Sequence, residues 1–384
     1  MNTHFDILIL GGGLVGASLA LALSGGRQRV ALLETRPPQV DGLDRDDDWD
    51  ARVYAVSPAN RRFLQQLEAW PADDRVGMVT TMDVRGDAGG RIRFDAAEAG
   101  GEALAWIVEN RWLLAAIWRR LADSDVELLD PAEATAFASD ARGATLTLAG
   151  GRTLGARLVI GCDGANSWLR REVGIGAAVS PYGHSGVVAN FLCERDHDGV
   201  AHQWFTGDGV LAYLPLPGRR MSMVWSCADP ERLLALSPDA LCAAVAARGG
   251  QQLGELQLVT PAAGFPLRLI RPERVIGERV AFAGDAAHTV HPLAGQGVNL
   301  GFGDVQLLAT LLRDADDPGA YGVLRRYERG RIEAVRTMQY TCDGLFRLFT
   351  HPHPLVGWLR NTGLSLTNVA GPVKKRLIRE AIGF

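Results

Sequence analysis

The sequence predicts an α/β fold: a parallel sheet flanked by helices, an inserted antiparallel sheet, and a C-terminal helical segment. Three stretches predict it. The N-terminus reads strand, glycine loop, helix, strand. Residues 279–299 read strand, turn, helix, and residues 185–227 change to short alternating strands.

The first stretch begins with the apolar run Phe5–Leu10. Gly11, Gly13 and Gly16 follow as G-x-G-x-x-G and open a helix through Ala17 to Leu23. A second apolar strand, Val30–Leu33, ends in Glu34. This order is the Rossmann-like dinucleotide fingerprint. Glycines allow the tight turn and the close approach of a pyrophosphate, and the acid about 20 residues on suits ribose hydroxyls. The competing account is a glycine turn that binds nothing.

The second stretch runs from an apolar strand, Arg279–Ala283, into Gly284-Asp285. It continues through Pro292, Gly295, Gln296 and Gly297 to Asn299, with a helix starting near Gly297. A carboxylate at a strand end, beside a glycine-lined helix start, suits a bound cofactor. The backbone can approach closely and the helix offers its orphan amides. The plainer account is a turn with an aspartate cap.

Composition narrows the field. A chain of 384 residues with 47% hydrophobic and 22% charged residues is globular and large enough for two subdomains. A net charge of −4 gives no reason to expect nucleic acid as a partner. The five cysteines are odd in number and scattered, which fits reduced thiols in a cytoplasmic setting. Cys162 reads as a small filler, with no base near it in sequence. No targeting segment or membrane-spanning run is read. His288 and His291 have HxxH spacing, but no third ligand is placed as metal motifs place it, so no metal is expected.

Over nearly its whole length the chain resembles the FAD-dependent aromatic hydroxylases of the para-hydroxybenzoate hydroxylase type, and most closely the ubiquinone-biosynthesis monooxygenases. The residues that carry this are the N-terminal glycines, Val108-Glu109-Asn110-Arg111, and the G-D-A-A-H…P-x-x-G-Q-G-x-N segment from Gly284 to Asn299. The resemblance implies FAD as cofactor, NAD(P)H as electron donor and O2 as co-substrate. It implies that Gly11, Gly13 and Gly16 hold the pyrophosphate and Glu34, with Arg36 beside it, the adenosine end. Asp285 falls at the ribityl chain, Pro292 beside the flavin ring, and Gly295, Gln296, Gly297 and Asn299 around its pyrimidine end. Arg52 and Arg111 match arginines that lie against the FAD. Asp163, in Gly161-Cys162-Asp163-Gly164, matches an aspartate near the pyrophosphate. A salt bridge to a nearby acid is the competing account for either arginine.

The remaining chain follows from local patterns. The acidic stretch Asp41–Asp50 lacks apolar periodicity and reads as a solvated loop. Pro58–Leu67 reads as a helix, 80–94 as short strands, and 126–160 as strands around turns. Gly186–Cys193, His202–Phe205, Val210–Leu214 and Met221–Cys227 read as antiparallel strands rich in large apolar residues. In the resembled family such a sheet covers the flavin and receives substrate. Trp204, Tyr213 and Leu214 are its candidate substrate contacts, and plain core packing is the alternative for each. Glu231–Ala247 reads as two helical pieces broken at Ser237-Pro238, and Phe265-Pro266-Leu267 returns the chain to the first domain.

The expected organisation is therefore an FAD-binding domain from 1–75, 101–180 and 265–330, a substrate-binding sheet from 76–100 and 181–264, and a helical segment at 331–384. Val323–Phe349 reads as a long helix. The end mixes Leu-rich turns with Lys374, Lys375, Arg376 and Arg379, a tail that suits an anionic membrane face or a partner protein.

The function implied is hydroxylation of a polyprenylated aromatic intermediate of ubiquinone biosynthesis, in the cytoplasm with the inner membrane face and other proteins of that pathway as candidate partners. C6 is the favoured ring carbon, with C5 or C1 as alternatives. Two other readings stay open: a flavin-dependent reductase of isoprenoid lipids, and a non-catalytic flavin-binding subunit of a biosynthetic complex.

Overall fold

A computed structural model describes residues 3–40, 42, 43, 48–351 and 353–382. Half of the acidic stretch, Asp41 and residues 44–47, lies outside the described residues. The core of the molecule is a sheet whose parallel strands lie in the order Val280–Phe282, Thr153–Gly161, Thr3–Leu10, Val30–Leu33, Glu127–Leu129. Strands buried on both faces read as unbroken apolar runs, and Phe5, Ile7, Leu8 and Ile9 are fully buried. Ala144–Leu148 and Ala134–Ser139 extend the sheet antiparallel on the first half of Thr153–Gly161.

Two helices meet over this sheet because small residues let them. Leu14–Leu23 packs against Gly297–Leu312 and Asn110–Ala122. A Cβ on Gly301 would sit 2.5 Å from Val15 Cγ2, and one on Gly284 (φ +60°) 2.9 Å from it. Phe282 is tied down from behind, its carbonyl accepting a 2.7 Å hydrogen bond from Tyr327 of the helix Tyr321–Thr350.

The inserted sheet has the order Leu256–Leu258, Ala177–Cys193, Arg220–Cys227, Gly209–Leu216, Val200–Phe205, Thr81–Arg85, Arg91–Asp95. Its pairs are antiparallel except Val200–Phe205 with Thr81–Arg85. Ala263–Pro272 runs along Ala177–Cys193 from Val188 to Ala177, so this long ribbon joins the two sheets and contains both Ser180 and Phe265. The strands Val53–Val56, Ala105–Glu109 and Val76–Val79 form a small third sheet between them. The C-terminal end is not Leu-rich turns: it folds as two helices, Pro354–Val369 and Gly371–Ile382. The Pro at position 354 sits in the first turn, where its missing N–H costs nothing, and His353 caps the helix by accepting from Leu355 N.

Candidate functional site

The parallel strands end at one edge, and the chain leaves four of the five into a segment singled out above. Gly11–Gly13 follows Leu10, Glu34 follows Leu33, Asp163 follows Gly161, and Gly284-Asp285 follows Phe282. Ligands of open α/β sheets bind in the crevice at this edge. The glycines show why. Gly11 has φ +99°, and its Cβ would lie 2.5 Å from Cys162 O; a Cβ on Gly16 would lie 1.9 Å from Gly11 O. A Cβ on Gly13 meets nothing within 4 Å, nor does one on Gly297. Two glycines are demanded by the protein's own crowding; the other two face open space.

Two of the helices that begin at this edge are left uncapped. Leu14–Leu23 and Gly297–Leu312 start without a side-chain hydrogen bond to their first amides, whereas Asp50 Oδ2 accepts from Arg111 N at 3.3 Å in the first turn of Asn110–Ala122, and Ser167, Asp229 and Ser237 cap further helices. Uncapped amides keep the positive end of the helix dipole available to an anionic ligand.

Side chains complete the cleft. Glu34 accepts from Gly12 N at 2.6 Å and from Arg36 N at 2.8 Å, while Arg36 is exposed beside it. Trp118 Nε1 donates to Gly12 O at 2.8 Å and holds the loop from below. Arg111 pairs with Asp48 at 2.6 Å, and its Nε lies 3.6 Å from Glu109 Oε1; Nε and Nη2 are buried with no hydrogen-bond partner. So a salt bridge exists, and it leaves two donors over. Asp163 Oδ2 accepts from Leu169 N at 3.0 Å, and its Oδ1 is buried without a partner. Asn110 N donates to Arg52 O at 2.9 Å, which brings Arg52 to the same wall.

Asp285 is accessible yet enclosed by protein on most sides, as the wall of a deep cleft is. That enclosure pushes its carboxyl pKa up, and the charges of His288 and Arg52 draw it back down. Tyr54, beneath the Arg52 guanidinium at 5.4 Å, is pushed up to about 12 by burial, with Arg52 opposing and Asp285 adding to the rise.

The segment from Pro292 to Asn299 closes the far end. Pro292–Ala294 is a single 3-10 turn ended by Gly295 in a left-handed conformation (φ +61°), which packs against Ala55. Gln296 stands at the start of the Gly297 helix. The Asn299 side chain is fully used within the protein. Its Oδ1 accepts from Ser57 N (3.0 Å) and Asn60 Nδ2 (2.8 Å), and its Nδ2 donates to Ala55 O (2.8 Å) and Gly295 O (3.3 Å). Asn299 therefore fixes the glycine loop to the strand that carries Tyr54.

Beneath the loop lies a group that the sequence reading missed. Asp304 is fully buried, accepts from Gly284 N at 2.9 Å, and pairs with His288 (2.7 Å) and Arg331 (2.6 Å). Burial alone would raise its pKa, but the charge and hydrogen bond of His288, with Arg331, hold it below the usual carboxylate value. The HxxH spacing thus has a structural use for His288. His291 is buried with both ring nitrogens unpartnered, edge-on to Tyr182 and stacked on Phe346.

The inserted sheet covers the cleft with one face only. Strand alternation puts Trp204 and Tyr213, with Phe191 and Met223, on the face packed under the helix Pro238–Arg248. Tyr213 donates to Val245 O at 2.6 Å and is a core residue there. Both aromatic substrate candidates therefore point away from the cofactor side. Leu214 is on the other face, the one that reaches Ala55 and, through Phe205 and Val210, Leu293. In register with Leu214 stand Ser222 and then Asn190. Ser222 Oγ and Asn190 Oδ1 are buried without partners, and Asn190 Nδ2 donates to Asp50 O at 2.9 Å. This polar row was not singled out, because the face's signal is small polar residues hidden between large apolar ones.

Known proteins agree with this geometry. Residues 62–340 match the family described as "FAD binding domain". The chain is 36% identical to "Ubiquinone hydroxylase UbiL" of Rhodospirillum rubrum over 394 residues, 98% of this chain and 89% of that protein. It is 35% identical to the "3-demethoxyubiquinol 3-hydroxylase" of Escherichia coli across 100% of both. The chain belongs to the ubiquinone-biosynthesis monooxygenases, a family of FAD-dependent ring hydroxylases. The solved structure of Klebsiella pneumoniae HpxO complexed with FAD and uric acid shares the fold, with a TM-score of 0.76 at 20% identity over 98% of this chain and 96% of that one.

The residues present fit FAD. Gly13 and Gly297 leave room where a ligand must approach, Arg111 and Asp163 hold polar atoms that the protein does not satisfy, and Asp285 lines the space between.

Proposed function

We propose that this family member is an NAD(P)H-using FAD monooxygenase that hydroxylates the aromatic ring of a polyprenylated phenol in ubiquinone biosynthesis. The observation that carries the reading is that the Gly13 loop, Asp285 and the Pro292–Gly297 loop gather at the carboxyl edge of the parallel sheet, while the Leu214 face of the inserted sheet packs on Ala55, the residue that Gly295 also meets. The 1–75, 101–180 and 265–330 unit holds the cofactor, and the 76–100 and 181–264 unit covers the ring.

Bound FAD, reduced by NAD(P)H, supplies the activation of O2 and the oxygen atom transferred to the ring. The rest is the work of this chain. The Gly11–Gly16 loop and the free donors of Arg111 hold the pyrophosphate, Glu34 takes the adenosine ribose, and Asp285 accepts from the ribityl hydroxyls. The amides opening the Gly297 helix stabilise negative charge at the pyrimidine edge of the reduced ring. Ser222 and Asn190 orient the phenol oxygen, and Phe205, Leu293 and Phe346 keep water from the reacting atoms. A polyprenyl tail is too apolar to be free in water at ~0.8 kcal/mol per CH2, so the substrate is met at a membrane surface or on a carrier protein. The test compares NADPH oxidation coupled to hydroxylation for prenylated phenols and for the same rings without the tail. Strong preference for the tailed ring supports the reading, and equal coupling points to a hydroxylase of small phenols.

A further inference from the structure

The helix Pro354–Val369 is amphipathic with its polar side turned inward. Arg360 Nε donates to Asp87 Oδ1 at 3.2 Å, and Asn361 Oδ1 accepts from Ala88 N (3.1 Å) and Gly90 N (3.0 Å). Asn368 Oδ1 accepts from Arg93 N at 3.1 Å. These contacts fasten the helix to the turn and strand at the edge of the inserted sheet, and Arg360 and Asn361 are buried by them. The opposite side holds Leu355, Trp358, Leu359, Leu366 and Val369, each 58–77% exposed. At 100° per residue these five fall within one arc of about 100°, the width of a buried apolar stripe. Here nothing among the described residues covers it. Leu345 and Leu348 of the preceding helix are also exposed.

The segment that carries this stripe is predominantly basic. Residues 351–384 hold five basic side chains and one acidic, in a chain whose net charge is −4. Lys374 is committed to Glu98 at 2.7 Å and buried, while Lys375, Arg376 and Arg379 are exposed on the last helix. Scattered exposed hydrophobics need no explanation, but a stripe of leucines and a tryptophan flanked by cations matches a helix lying in the bilayer interface. Behind the stripe lies an apolar core. Leu364, on the inner side of the same helix, packs into the apolar cluster that contains Phe349, Phe346, Phe205 and Leu293, next to Pro292 of the cofactor loop.

We propose that the outward face of Pro354–Val369 docks on an anionic lipid surface, apolar side down, with Lys375 and Arg379 against the headgroups. Its purpose rests on the polyprenyl-substrate reading: docked there, the protein meets a substrate whose tail stays in lipid. The FAD-loaded full chain is sedimented with phosphatidylglycerol–phosphatidylethanolamine vesicles and with phosphatidylcholine vesicles. Wild type should pellet with the anionic vesicles. Trp358→Ser/Leu359→Ser should lower partitioning at least ~10-fold, since two large apolar side chains no longer enter lipid. Lys375→Glu/Arg379→Glu should weaken binding to anionic vesicles several-fold and leave the phosphatidylcholine result unchanged. Flavin content, helical circular dichroism and turnover of a short-tailed soluble phenol without lipid are measured in parallel, and both variants should retain all three. Variants that pellet like wild type overturn the docking face. Wild type that stays in the supernatant while it hydroxylates the soluble phenol overturns docking and leaves the enzymatic reading standing. Wild type that binds vesicles but hydroxylates no phenol does the reverse. A wild-type dimer that the Trp358→Ser/Leu359→Ser pair splits, with no vesicle binding, overturns lipid in favour of a second copy of this chain.

Discussion

The carboxyl edge of the parallel sheet and the inserted sheet line the same cleft by different means. At the edge the backbone does the binding: close turns at Gly11 and Gly16, open ground at Gly13 and Gly297, and helix starts that carry no side-chain cap. On the inserted sheet, function depends on which face a side chain occupies. Ser222 and Tyr213 lie on neighbouring strands, one displaced from the other by a single register position, yet one faces the cleft and the other the far core. A site built from backbone geometry tolerates almost no change at its glycines. A site built from one face of a sheet can exchange side chains freely as long as the far face stays packed.

The largest expected effect probes how firmly the edge is anchored. Asp304→Ala leaves His288 and Arg331 without their buried partner and Gly284 N without its acceptor, so unfolding in urea should cost about 3–5 kcal/mol less than in wild type. If stability hardly moves, the edge is held by backbone alone.

Next in size is the pH response where the two regions meet. His291 is held neutral by burial, which draws its pKa to about 4, with His184 adding to the fall and Asp343 opposing it. The unfolded chain takes up that proton near 6.5, so stability is complete above pH 6.5 and is lost as pH falls from there to about 4. The loss is roughly 3 kcal/mol by the two pKa values. His291→Phe should flatten this part of a stability–pH curve, and an unchanged curve would assign the acid sensitivity elsewhere.

Two pairs of substitutions then separate the regions directly. Gly16→Ala forces a Cβ against Gly11 O and should cost about 1–3 kcal/mol of stability along with FAD. Gly13→Val should change apo stability by under about 0.5 kcal/mol and still lose FAD, because it fills only the ligand's space. Flavin absorbance and thermal melts read both. The smallest effects belong to the sheet. Tyr213→Phe should cost about 1 kcal/mol through its lost bond to Val245 O, with coupling unchanged. Ser222→Ala should leave stability within about 0.5 kcal/mol and lower the fraction of NADPH coupled to product. The reverse pattern would exchange the two faces.

This difference also decides what the sequence could reveal. Glycine spacing, an acid after a strand, and G-D followed by P-x-x-G-Q-G-x-N are written in consecutive residues, so Gly13, Glu34, Asp285 and Gly297 were legible, as were the strands and helices around them. Trp204 and Tyr213 stood out for size, but their size belongs to the core under Pro238–Arg248. Ser222 and Asn190 matter through register across three strands, which no single stretch records. Asp304 was hidden inside an apolar helix, and its partners His288 and Arg331 lie 16 and 27 positions away. The inward polar side of Pro354–Val369 was likewise invisible until Gly90 and Arg93 were placed beside it.

The central claim is that the cleft delivers one atom of O2 to the ring of a prenylated phenol. Its most direct test is turnover of a polyprenylphenol with NADPH under 18O2, with the product analysed by mass spectrometry. The account predicts a ring-hydroxylated product carrying one 18O atom, and loss of that product in Gly13→Val. A product free of 18O and heavier by two hydrogens on an alkene would contradict it and identify a flavin-dependent reductase of isoprenoid lipids.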